Sequence, residues 1–175
     1  FIKLNLLITM KAKMFRALLL LSIVFTSVSC SSDSSEEVSS KEAAVTNYDY
    51  NQVELRIVQL VNDHRISVGL NPLEVINHIS YKSEGHNEYM IEKQSISHDN
   101  FYQRSQNIIE VLGAEKVAEN VAYNYITAES VVAAWKNSPS HKANIEGDFT
   151  HFGISASIDA ETGKRYYTNI FMKEK

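Results

Sequence analysis

Phe152-Gly153-Ile154-Ser155-Ala156-Ser157-Ile158 sets Phe, Ile, Ala and Ile against Gly and Ser in strict alternation. A period of two places every second side chain on the same face, which is the spacing of a β-strand. Asp159 to Lys164, with Gly163, has turn chemistry, and Arg165 to Met172, rich in Tyr, Thr, Ile and Phe, reads as the returning strand. Upstream the period changes. Val53, Ile57, Leu60 and Val61 recur at helical spacing, widened by Leu55 and Val58, and Gly69 followed by Pro72 ends a helix expected near 50–68. After Pro72, Ile79, Ser83, His86 and Met90 share one helical face. Residues 95–103 read as a loop containing His98. Helical patterns return near 104–112 and 128–137, the latter begun by Thr127 and carrying Val131 and Trp135 on one face. Helices first and a hairpin last make an α+β fold, not a βαβ repeat.

The chain has 175 residues, 44% of them hydrophobic, with 17 basic and 21 acidic side chains. That is enough apolar material for one packed core and excludes a repeat array, a collagen-like chain or a wholly disordered one. The single cysteine, Cys30, excludes an intramolecular disulfide framework, a Cys-rich zinc site and a C-x-x-C redox pair.

The first residues read as an address. Lys11, Lys13 and Arg16 precede an apolar run from Ala17 to Val28, too short for a membrane span of ~20 residues and suited to a signal peptide over 1–29. The biological start is expected at Met10. Cys30 after Ser27-Val28-Ser29 resembles a lipobox, with Ser27 where Leu is usual, so Cys30 is the expected lipidation site and the membrane the expected partner. Cleavage there would remove Lys3, Lys11, Lys13 and Arg16 and no acid, taking the formal charge from −4 to −8. So acidic a chain offers no electrostatic footprint for nucleic acid. Ser31 to Ser40 is polar, acidic and without aromatics, which makes 30–47 a flexible tether and 48–175 the folded domain. Ser and acidic residues just after such a cysteine also suit the outer membrane's extracellular face, so the expected address is the cell envelope.

With Cys30 committed to the anchor, the chemistry rests on six histidines. His86 lies on an apolar helix face and reads as a hydrogen-bonded core histidine. His64 and His78 read as solvated helix positions. More informative are Ser97-His98, Ala118-Glu119-Asn120-Val121-Ala122 and the run from Trp135 through Ser138-Pro139-Ser140-His141 to Asn144, in part polar segments at helix borders where an imidazole or carboxylate can reach a cleft.

These stretches, with Asn62-Asp63-His64-Arg65, Gly69-Leu70-Asn71-Pro72-Leu73, Phe101 with Arg104, Phe152-Gly153-Ile154 and Tyr167-Thr168-Asn169-Ile170-Phe171, resemble the CAP superfamily (SCP or PR-1-like domains) in its short bacterial form. The resemblance covers about 53–172. It implies a three-layer α-β-α sandwich with a small antiparallel sheet, whose third strand is not visible in the sequence. It also implies a cleft of two histidines and two acids. The first histidine falls on His98, the first glutamate on Glu119 and the second histidine on His141, while the second acid falls on Ser138. Ala118 stands where a glycine is usual.

Two imidazoles and a carboxylate are a plausible site for Zn or another divalent cation. The carboxylate can instead hydrogen-bond one imidazole and orient it, leaving two ligands. Ser138 or Ser140 beside His141, with Glu119 behind, has the residue types of a hydrolytic triad. The same serines equally well begin a helix with Pro139 in its first turn. Asn144 is expected to line the cleft and brace the segment after His141, Arg104 to pin the loop carrying His98, and Trp135 to be core. The Tyr residues at 123, 125, 166 and 167 could line a groove or simply pack. The expected function is binding in a secreted, membrane-anchored module, with a small molecule, lipid or protein as the unknown ligand. A cell-envelope hydrolase and a lipid or sterol binder are the alternatives.

Overall fold

The computed structural model describes residues 42–175. The signal peptide, the lipidation site Cys30 and most of the tether lie outside the described residues. Residues 42–50 form neither helix nor strand. Helix α1 (Gln52–Ser67) starts where Asn51 accepts from the Val53 and Glu54 amides while the Glu54 carboxylate accepts from the Asn51 amide at 2.8 Å, a reciprocal cap. Gly69, at φ 82°, turns the chain away in a conformation that costs glycine least.

Strand β1 (Glu74–Val75) is followed by helices α2 (Asn77–Lys93) and α3 (Phe101–Leu112), strand β2 (Ala114–Tyr123), helices α4 (Ala128–Asn137) and α5 (Pro139–Ile145), and the hairpin β3 (His151–Ile158) and β4 (Arg165–Glu174). The sheet order is β1-β3-β4-β2. Three strands are antiparallel, and the two residues of β1 add a parallel edge to β3. The expected hairpin closes with Ile158 opposite Arg165 and Phe152 opposite Phe171. β2 is the strand the periodicity does not reveal. Its residues Glu119, Asn120, Val121 and Ala122 are all buried, so polar side chains go inside and no alternation survives in the sequence.

Helices cover both faces of β4. Ile57 and Val61 of α1, Val131 and Trp135 of α4 and Ile145 of α5 pack with Phe152, Ile154, Tyr167 and Phe171. On the other face Ile79 of α2 and Ile108 of α3 meet Ile170 and Met172. The result is the expected α-β-α sandwich, an α+β fold. Trp135 is core, 1% exposed, with its indole N–H donating to the Val121 carbonyl at 3.1 Å. Gly153 sets the distance between layers: a Cβ there would lie 2.6 Å from the Ile79 carbonyl carbon, inside the backbone of α2.

Two histidines correct the sequence reading. His64 is not solvated: its Nε2 lies 2.8 Å from Glu146 and its side chain is 11% exposed. His78 is wholly buried, taking the Val45 amide on Nδ1 and meeting Asn107 through Nε2. Helical position alone could not tell which face the neighbouring α3 and the residues before α1 would cover.

Candidate functional site

Glu119 sits in the middle of β2 with its side chain 1% exposed. A buried carboxylate is tolerable only when paired and hydrogen-bonded. Here Arg104, from the first turn of α3, lays its guanidinium fork against it, Nε to Oε2 and Nη2 to Oε1, both at 2.9 Å. The third branch, Nη1, donates to the Asp99 carbonyl. Arg104 thus pins the loop carrying His98, as expected. The fork on Glu119 is what the sequence did not disclose.

His98 adds a third donor to the carboxylate. Its Nδ1 lies 2.9 Å from Glu119 Oε1. A carboxylate only accepts, so Nδ1 carries the proton and Nε2, across the ring, is left with the lone pair. The side chain is half exposed, unlike the acid behind it. The loop beneath is fixed from α2. His86 Nε2 donates to the Ser97 carbonyl at 2.8 Å, and the Tyr89 hydroxyl donates to Asp99 at 3.0 Å. His86 is therefore the hydrogen-bonded core histidine expected. Burial pushes its pKa down, with the Arg104 charge acting the same way.

His141 comes from the first turn of α5, which Pro139 begins. Two asparagines stitch that helix to β2. Asn120 donates to the His141 carbonyl at 3.0 Å, and Asn144 donates to the Glu119 carbonyl at 3.2 Å and to Asn120 Oδ1 at 2.8 Å. Asn144 is thus a brace between the strand holding the acid and the helix holding the second imidazole. Burial lowers the His141 pKa, which favours the neutral ring. His141 and Ser138 border a cavity of about 290 Å³ with Ile96, Tyr123, Tyr125 and Trp135. Tyr123 packs on Tyr166, with ring centres 4.7 Å apart, and Tyr167 donates to the Tyr125 carbonyl.

The arrangement bears on the ligand set read from the sequence. Both oxygens of Glu119 are taken up by Arg104 and His98. Among the described residues no three His, Cys, Asp or Glu side chains gather closely enough to hold a metal ion. Glu119 here serves as the acceptor that holds Arg104 and His98. The donors that remain are His98 Nε2 and the His141 ring. The serines form no triad either. Ser138 Oγ lies 3.3 Å from Ser140 Oγ, and among the described residues neither hydroxyl bonds a histidine.

The profile of the family described as CAP, cysteine-rich secretory protein family, matches residues 58–171. The chain is 32% identical over 124 residues to the membrane protein YlbC of Bacillus subtilis, covering 69% of this chain and 34% of that one. It is 31% identical over 105 residues to YkwD of the same organism, 58% of this chain and 41% of that one. It therefore spans well under half of these relatives. Among solved structures it is similar to an outer surface protein of Borrelia burgdorferi, with a TM-score of 0.63, 22% identity, and 75% of this chain and 100% of that one covered. It is also similar to an extracellular SCP-domain protein of Bacillus anthracis, with a TM-score of 0.60, 23% identity, and 69% and 40% covered. Among the described residues no helix is long and apolar enough to cross a membrane. With the family's motifs, its layer order and its profile on the same residues, the chain belongs to the CAP, or cysteine-rich secretory protein, family.

Proposed function

We propose that this CAP domain is a binding module whose cleft offers two imidazoles, His98 and His141, to a polar ligand, with a divalent cation such as zinc as the chemically fitted occupant. The supporting observation is the chain Arg104–Glu119–His98. A buried carboxylate that holds one ring nitrogen fixes the tautomer and aims the other outward, the arrangement in which histidines ligate metals. Zinc bound there would supply Lewis acidity and open positions filled by water. With two protein ligands the site is weak.

Zinc titration by calorimetry at pH 7.5 tests the reading. One site is expected, lost in His98→Ala and in His141→Ala and weakened about 10-fold or more in Glu119→Gln. No heat at millimolar zinc overturns it. The cavity beside His141, walled by Ile96, Tyr123, Tyr125 and Trp135, favours a second reading in which the ligand has an apolar part. Retention of labelled lipid by the purified domain, lost when Tyr125 is replaced by Asp, would support that one.

The relatives include an outer surface protein and an extracellular protein. Together with the signal-like residues before Cys30, they support display at the cell envelope through a lipid on Cys30. Cys30→Ser should move the protein to the aqueous phase of a detergent partition; unchanged partitioning refutes lipidation.

A further inference from the structure

The residues ahead of α1 are held to the sandwich by a closed ring of hydrogen bonds. The Val45 amide donates to Nδ1 of His78 at 3.1 Å. His78 Nε2 lies 2.8 Å from Asn107 Oδ1, and Asn107 Nδ2 donates to Glu42 at 2.6 Å. The other oxygen of Glu42 takes the Lys82 ammonium at 2.7 Å, and Asn77 donates to the Thr46 carbonyl at 2.6 Å. Strap, α2 and α3 thus meet on one imidazole that is 0% exposed.

The ring's hydrogen-bond directions are fixed. Nδ1 accepts from an amide that can only donate, so the proton sits on Nε2 and is given to Asn107. A second proton on His78 would set N–H against N–H at Val45, with no acceptor left. The charged groups placed on this network are Glu42 of the strap and Lys82 of α2; α3 contributes the neutral Asn107. The Lys82 ammonium, with Asn107 beside it, holds the Glu42 carboxyl below the usual carboxylate range.

We infer that His78 is a pH-sensitive latch: neutral, it docks residues 42–46 against α2 and α3, and protonated, it lets them go. Docking requires the second proton off, so it weakens as the pH falls and that proton is taken up. Release stops at two tyrosines. Tyr48 donates to Glu54 and Ser155, and Tyr50 bonds Asn77 and Ser80. Freed, the five residues add roughly 15 Å of reach between the domain and whatever precedes it.

Amide hydrogen exchange on the full domain tests this. The Val45 protection factor should drop at least 10-fold between pH 7.5 and pH 5.0 in the wild type. It should stay within 2-fold in His78→Asn, whose amide can accept at the Nδ1 position and does not titrate. Unchanged wild-type protection, or the same drop in His78→Asn, overturns the latch. Should His78→Asn fail to fold, the wild type alone decides through the ¹⁵N shifts of the His78 ring. Release and ring protonation share a midpoint if the latch holds. A release that instead disappears in Glu42→Gln assigns the switch to the carboxylate and overturns the proposal.

Discussion

Arg65 and Arg104 are both withdrawn from water, and they do opposite things with the same side chain. Arg65, near the end of α1, donates to the carbonyls of Asn71 at 2.8 Å, Ile145 at 2.7 Å, Gly147 at 3.0 Å and Phe149 at 3.4 Å. Every acceptor is neutral, and burial pushes the guanidinium's pKa down, opposed by the nearby Asp148 charge. These four bonds join the loop after α1 to the end of α5 and the loop leading to β3. Arg104 faces a carboxylate. A guanidinium fork and a carboxylate neutralise each other while leaving Glu119 able to take one more donor, and that donor is His98. Charge pairing lets the second corner direct a functional group to the surface; the first corner ends in backbone.

Four changes would break or sharpen this contrast. The largest effect is expected from Arg65→Ala, which strips four carbonyls of their donor and should lower the unfolding free energy by more than ~3 kcal/mol in urea titration. A loss below ~1 kcal/mol would remove Arg65 from the architecture. Arg104→Ala leaves Glu119 buried without its guanidinium partner, at about 3 kcal/mol, and should weaken the zinc heat. Adding Glu119→Gln to Arg104→Met should recover more than half of the stability and none of the zinc binding. Equal stability of single and double variants would show that the pairing is not what holds this corner.

A smaller effect is expected from pH. His86 and His141 have pKa values pushed below the ordinary imidazole value, first of all by burial. The unfolded chain therefore takes up those protons first, and stability should fall as the pH drops through about 6.5. Urea midpoints at pH 7.5 and pH 5.5 measure it, and a midpoint that does not fall would contradict the burial of both rings. The smallest effect belongs to Ser138→Ala. Ser138 precedes α5, but among the described residues its hydroxyl bonds no helix amide and pairs with Ser140 alone, so the change should stay within ~0.5 kcal/mol and leave zinc heat intact.

Much of the fold was legible because its signals are local. Gly69 at the end of α1, Thr127 before α4 and the alternation of β3 each depend on a few neighbouring residues. β2 was not legible, because Glu119 and Asn120 face inward and are satisfied by Arg104, His141 and Asn144, partners that only the fold supplies. His64 and His78 misled for the same reason: a helix period does not say what will cover a given face.

By itself, the sequence determined the order of helices and hairpin, the family, and which residue types could meet in a cleft. Only the tertiary structure decided what Glu119 does there. Its two oxygens were open on paper to a cation, an imidazole or a guanidinium. A buried carboxylate must be paired, and the fold brings it the guanidinium fork of Arg104. That choice is made by the approach of α3 to β2, which no spacing along the chain encodes.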